Sequence, residues 1–253
     1  MFLVLNKDKI QTYIVSVLTV AVLVVLANMG NIQTIQTSAP TKLLPIYNVQ
    51  TEEKKIAFTM NCAWSADDID IILEILKNND VHITFFMVGN WVDKYPEAVK
   101  KIFEAGHEIG SHSNTHPHVN NLSAEKNLEE INLSVNKIEK ITGQKTNLYR
   151  APYGEYNDTV IQTAQEKGYY TIQWNLDTLD YEGLSGEEMW NRIKNKLSNG
   201  SIILSHNGTK HTADSLNMLI KNVKAQGFEL VTVSELIYKD NYSINNNGTQ
   251  IKN

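Results

Sequence analysis

The segment SHSNTHPH, residues 111–118, places two imidazoles, His112 and His116, four residues apart and ahead of Pro117. One turn of helix would bring both rings to one side. Two neutral imidazoles on a common face can hold zinc or a similar divalent ion at about 2.0–2.1 Å per nitrogen. Other chemically capable groups recur along the chain: Asn61 and Cys62 in FTMNCAWSADD, Arg150 in RAPYG, Asp177 and Asp180 in DTLDY, and His206 in LSH. Cys62 is the single cysteine, which excludes an internal disulfide framework and a cysteine-based zinc cluster. It is open to two readings, a thiolate ligand beside the histidine pair or a small apolar core residue. Asp67 and Asp68 are likewise open, suiting either the site or the first turn of the next helix. His107 and His118 receive no role.

Each of these groups follows a short apolar run, so the elements that position them can be read from periodicity. Seven β-rich runs, KIAFTM, HITFFMVG, HEIGSH, TNLYRA, YYTIQWNL, SIILSH and FELVTV, alternate with amphipathic stretches such as DDIDIILEILKNN and AEKNLEEINLSVNKIEKITG. That alternation predicts parallel α/β architecture. Ser185 with Glu188 predicts a capping box, and Gly106, Gly143, Gly168 and Gly227 mark helix ends. The polar residues gather just after strand ends, and in a barrel those ends converge on one face. The expectation is therefore an incomplete (β/α)7 barrel rather than a flat open sheet.

The chain has 253 residues with a net charge of −5 and the two signs interspersed, so it lacks the basic stripe of a nucleic-acid binder. No charged side chain occurs between Ile10 and Thr41. The run from Tyr13 to Ala27, extended to Met29, is long enough to cross about 30 Å of hydrocarbon. Lys7 and Lys9 precede it, which predicts a cytoplasmic N-terminus and the remainder outside the cell membrane. A cleaved signal peptide is the rival reading, disfavoured by the residues around LANMGN. The expected organisation is a cytoplasmic segment over 1–9, a single-pass transmembrane helix over 10–29, a linker over 30–53, one domain over 54–238, and a disordered tail over 239–253.

Read together, the segments resemble the polysaccharide deacetylase family, also called NodB-homology or carbohydrate esterase family four, over Lys54 to about Tyr238, and within it the sporulation-associated branch. TMNCA from Thr59 to Ala63 stands where that family has TFDDG, HSNTHP from His112 matches HSxxHP, and RAPYG from Arg150 matches RxPYG. DTLDY from Asp177 stands for DxxDW, and LSH ends at His206. The resemblance implies a hydrolase removing N-acetyl groups from cell-wall or spore-wall glycan, peptidoglycan or chitin-like; a monomer is expected. A divalent metal, zinc by expectation, would be held by His112, His116 and Cys62 and would acidify a water. Arg150 would hold the residue at the base position, here Asn61; His206, oriented by Asp180, would be the general acid. Tyr153 would offer its backbone N–H to the oxyanion, and Trp64, Tyr153 and Tyr181 would stack on sugar.

Two substitutions divide the reading. Asn61 is isosteric with Asp but accepts no proton, and Cys62 replaces a metal carboxylate. Losing a general base costs roughly 10²–10⁴ in rate. The alternative function is a catalytically impaired homologue that binds glycan or acts as a scaffold. A third class, a cysteine nucleophile built on Cys62 and His206, leaves the histidine pair and RAPYG without a use.

Overall fold

The structure, a computed structural model, describes residues 7–29 and 42–253, which fall in two compact units divided at Thr41. The first contains helix α1, Lys7–Met29. Its stretch Lys7–Val25 is long and apolar enough to cross a membrane. The hydroxyls of Thr12, Ser16 and Thr19 donate to the carbonyls of Asp8, Thr12 and Val15 at 2.8, 2.9 and 2.8 Å, so these polar groups are satisfied within the helix. The expected cytoplasmic residues 1–6 and linker residues 30–41 lie outside the described residues.

The second unit begins with β1 (Asn48–Val49) and β2 (Lys55–Cys62), then α2 (Ile69–Asn78) and β3 (Thr84–Met87). Next come α3 (Gly89–Lys94), α4 (Pro96–Glu104), β4 (Glu108–Ser111), α5 (Ala124–Thr142), β5 (Leu148–Tyr149) and α6 (Asp158–Glu166). The chain continues through β6 (Tyr170–Thr171), β7 (Leu176–Asp177), α7 (Gly186–Ile193), β8 (Ile202–His206) and α8 (Thr212–Ala225). It ends with β9 (Glu229–Val231), α9 (Val233–Leu236), β10 (Tyr242–Ile244) and β11 (Thr249–Lys252). The capping box predicted at Ser185 and Glu188 forms, and Thr232 with Glu235 makes a second. Gly143 ends α5 in the left-handed conformation that a side chain would resist.

The main sheet is parallel, ordered β6-β5-β4-β3-β2-β8-β7, with β9 paired to the start of β2. The run YYTIQWNL, expected as one strand, is split, and its halves pair at opposite edges of the sheet. Seven strands laid flat at about 4.8 Å would separate those edges by about 29 Å. The chain from Thr171 to Leu176 reaches at most about 18 Å, so the sheet has to curl. The result is an open, curled half-barrel with its gap between β6 and β7, consistent with the expected incomplete barrel.

Strand alternation sorts β2 into two faces. Ile56, Phe58, Met60 and Cys62 pack outward with Ile72 and Leu76 of α2 and Leu216, Leu219 and Val223 of α8. Ala57 points inward with Phe86, Leu148, Ile172, Ile202 and Val231, and Thr59 and Asn61 share its parity. At the other end, β1 pairs with β11 and β10 completes a small sheet. The expectation of a disordered tail is thereby corrected. Its run of asparagines is turn chemistry: Asn245 Oδ1 accepts from the backbone of Asn247 and Thr249 at 2.9 and 3.0 Å. Gln250, fully buried, holds both backbone groups of Tyr238 at 2.9 and 2.7 Å. The linker is also shorter than expected, since Ile46 and Val49 belong to the core.

Candidate functional site

Because the strands run parallel, their C-terminal ends share one edge, and the register there is tight. Cys62 pairs with Met87, Met87 with Ser111, Ser111 with Tyr149, and Asn61 with His206. The next residues, His112 and Arg150, follow at the same level. They border a cavity of about 670 Å³ lined by Asn61, His112, His116, Asp177 and His206, with Trp64, Tyr153 and Tyr181 on its walls. All of the expected site residues converge here except Arg150 and Asp180, which lie buried just behind, and Cys62.

The histidine pair does come together, with ring centroids 4.9 Å apart, but no helical turn does it. Ser113 and His116 instead adopt positive φ of 63° and 59°. The loop is held by Glu130 of α5, whose carboxylate accepts from the backbone of Asn114 and Thr115 at 2.9 and 2.8 Å and from the Thr115 hydroxyl at 3.0 Å. His112 Nδ1 donates to the Arg150 carbonyl at 2.8 Å, leaving its Nε2 lone pair free. Burial, then the neighbouring His116, holds the His112 pKa well below its ordinary value, and burial lowers that of His116. Both rings are neutral at pH 7.

Asp180, fully buried, accepts from His206 N at 2.6 Å, His206 Nδ1 at 2.8 Å, Thr212 Oγ1 at 2.6 Å and Tyr181 N at 3.0 Å. It therefore orients His206 and makes no ion pair with Arg150. Trp64 and Tyr181 flank the His206 ring, each at 5.3 Å between centroids. Tyr153, at a φ of 58°, stacks on His118 at 4.3 Å, and Glu155 holds His118 Nδ1 at 2.6 Å. His107 lies away from the cavity, where its Nδ1 accepts from Ile83 N at 3.3 Å.

Arg150 is fully buried, and its hydrogen bonds reach only neutral groups: Nη1 to Thr59 Oγ1 at 2.9 Å and Asn61 Oδ1 at 3.0 Å, and Nη2 to the Gln173 carbonyl at 3.2 Å. Its Nε has no partner. The Phe86 and Trp174 rings, 4.1 and 5.5 Å away, supply cation–π contact. Burial lowers its pKa to about 9, partly offset by the charge of Asp177.

The expected metal centre is not assembled. Among the described residues no group of three or more His, Cys, Asp or Glu side chains is disposed to hold a metal ion. Cys62, expected as third ligand with His112 and His116, has the outward parity of Met60 and packs in the apolar layer. Burial, then the nearby Asp68, raises its thiol pKa well above the ordinary value, so it is no thiolate. Asp68 does not substitute for it, because its carboxylate accepts from Gly208 N at 2.7 Å and Asn207 Nδ2 at 3.2 Å. The donor set does not fit zinc or a similar ion, and the expectation of a zinc cofactor is corrected.

This curled parallel sheet with a histidine-lined edge defines a class, and the comparisons agree on it. The polysaccharide deacetylase model matches residues 48–172, and the chain belongs to that family. The peptidoglycan-N-acetylglucosamine deacetylase of Bacillus cereus is 34% identical over 196 residues, 76% of this chain and 92% of its own length. An uncharacterised protein of Bacillus subtilis is 36% identical over 193 residues, 76% of this chain but only 60% of its own length. Among solved structures, a CE4 family pseudoenzyme from Bacillus anthracis aligns with a TM-score of 0.74 and 33% identity over 77% of this chain and 69% of that one. A mutant of that protein is described as having restored enzymatic activity. Together with the missing ligand set, this similarity overturns the expectation of metal-assisted deacetylation and favours the non-catalytic alternative.

Proposed function

We propose that the protein is a non-catalytic member of the family that binds an N-acetylated cell-wall glycan, held at the membrane by α1 with its N-terminus in the cytoplasm. The observation that carries this reading is Asn61: in a cavity that keeps His206 and both histidines of HSNTHP, with Arg150 and Asp180 buried behind it, the position of the proton acceptor holds an amide. The walls suit a sugar. Trp64, Tyr153 and Tyr181 are each about half exposed at 48, 60 and 47%, and although Tyr153 has one face stacked on His118, their exposed ring surface suits sugar C–H groups. Asp180 and His206, with no leaving amine to protonate, serve as a rigid hydrogen-bonding floor. Relatives named as peptidoglycan deacetylases support a peptidoglycan-type ligand.

The test uses the full chain in detergent micelles, incubated with peptidoglycan and with N-acetylglucosamine oligomers, with and without added zinc. Saturable binding is expected, with acetate release no greater than in the protein-free control. Trp64→Ala and Tyr181→Ala should each weaken binding about tenfold, the loss of roughly 1.4 kcal/mol of stacking and burial. Multiple turnovers of acetate per protein, or no glycan retention at all, would overturn the proposal.

A further inference from the structure

We infer that the start edge of the sheet, opposite the histidine-lined cavity, carries a second binding site, one for a linear phosphodiester polymer of the poly(glycerol phosphate) kind. Asn147 precedes β5 and Tyr169 precedes β6, and these two residues border a cleft of about 480 Å³ completed by Asn132, Lys145, Thr146 and Lys167. The wall made by Lys145, Thr146 and Asn147 is shared with a second cleft of about 390 Å³, which adds Gln144, Ser234 and Lys239. Neither cleft shares a residue with the histidine-lined cavity, so the inference does not depend on the glycan-binding reading.

The first cleft is rich in unspent donors. The ammonium groups of Lys145 and Lys167 have no partner among the described residues, and neither has that of Lys239. Thr146 Oγ1 accepts from Leu148 N at 3.1 Å, which leaves its own hydrogen to donate. Asn132 Oδ1 takes the hydrogen of the Tyr169 hydroxyl at 3.1 Å, which leaves its Nδ2 as a donor. No carboxylate belongs to this lining. In the second cleft the carboxylate is Glu108, whose Oε2 already accepts from Thr84 Oγ1 at 2.7 Å and Ser234 N at 3.2 Å. Other acids stand near without lining either cleft. Asp240 pairs with Lys252 at 3.2 Å, Glu166 accepts from Gln162 at 2.9 Å, and the charge of Glu139, after burial, raises the Tyr169 pKa.

The ligand follows from this inventory. Lys167 stands in the first cleft, Lys145 on the shared wall and Lys239 in the second, a succession that fits a chain with one charge per repeat better than a single anion. The non-bridging oxygens of a phosphodiester only accept, which matches a wall of donors, whereas an acidic polysaccharide brings many hydroxyls that each need an acceptor. Nucleic acid shares the phosphodiester but also needs ring faces for its bases. Tyr169, the aromatic residue of the first cleft, is 6% exposed and packed with Tyr149 and Val160. A bilayer surface is a poor partner because the cations sit in clefts, and no exposed large hydrophobic side chain lies among the lining residues to insert beside them. The chain as a whole carries −5, so attraction of a polyanion has to be local to these lysines.

The experiment titrates dye-labelled poly(glycerol phosphate) decamer with the full chain in zwitterionic detergent micelles, followed by anisotropy. Saturable binding is expected, weakening about twentyfold between about 50 and 200 mM salt, as three neutralised charges on a flexible strand require. Lys145→Glu, at the wall common to both clefts, should weaken binding at least tenfold. Lys221→Glu, an equal change of net charge at an exposed position of α8, should leave it unchanged. Thermal midpoints confirm that both variants fold, and the wild-type titration needs no variant. Absence of binding at the lower salt, or equal losses in the two variants, overturns the inference. So does oligothymidylate binding as tightly as the polymer, which would assign the lysines to nucleic acid, or displacement of the polymer by micelles doped with phosphatidylglycerol, which would assign them to a membrane.

Discussion

Replacing Asn61 by Asp should make this protein more stable, although it alters the floor of the cavity. Arg150 is the reason. Its pKa of about 9, against an ordinary 12.5, means that keeping the buried charge at neutral pH costs on the order of 5 kcal/mol relative to water. Removing one partner of a buried ion pair typically costs about 3–5 kcal/mol, and Asn61→Asp performs the reverse by setting a carboxylate about 3.0 Å from Nη1. Part of that gain is already supplied by the charge of Asp177, by Thr59, by the Gln173 carbonyl and by the rings of Phe86 and Trp174, and the new carboxylate must itself be desolvated. A net stabilisation of about 2 kcal/mol is expected, which for a unit of this size raises the thermal midpoint by about 4–8 °C. The sign of the pH dependence is fixed. A carboxylate whose folded pKa is depressed by Arg150 contributes fully above its unfolded value near 3.9, and the contribution is lost as pH falls through the folded one. Thermal unfolding of wild type and Asn61→Asp, followed by tryptophan fluorescence at pH 7 and pH 3, measures this. A midpoint at pH 7 equal to or below wild type, or a gain undiminished at pH 3, would refute the account of Arg150 as a charge lacking its counter-ion.

Two further outcomes follow from buried groups away from the cavity floor. Burial, then neighbouring His82, lowers the His107 pKa to about 4 from 6.5. The unfolded chain therefore gains a proton that the fold refuses as pH drops below 6.5, and up to about 3 kcal/mol is lost by about pH 4. Urea midpoints from pH 7.5 to 4.5 should fall in wild type and fall less in His107→Gln; equal slopes would contradict the assignment. Cys62, buried in the outer layer, should resist thiol reagents in the native state at pH 8 and react fully in urea, whereas rapid native labelling would show that the thiol faces the cavity after all.

How much of the protein was legible in its residues differs from one element to the next. The strand and helix alternation, the Ser185 capping box and the apolar stretch after Lys9 are local patterns, and local patterns survive folding because propensity and hydrogen bonding act over a few residues. The motif residues Asn61, His112, Arg150 and His206 follow strands, and parallel strands bring such ends to one edge, so their meeting could be expected. The Asn245–Gly248 turn was misread because its asparagines look like disorder until β1 supplies a partner strand. Glu130 and Thr212 were invisible, since each acts on a segment brought near only by packing and carries no signal at its own position.

The sequence by itself determined the family, the alternation of elements and the absence of an acidic pair at 61 and 62. Tertiary structure alone decided what that absence means. The pleat of β2 turns Cys62 outward into the apolar layer and Asn61 inward to the cavity, where the buried guanidinium of Arg150 takes the Oδ1 end of the Asn61 amide.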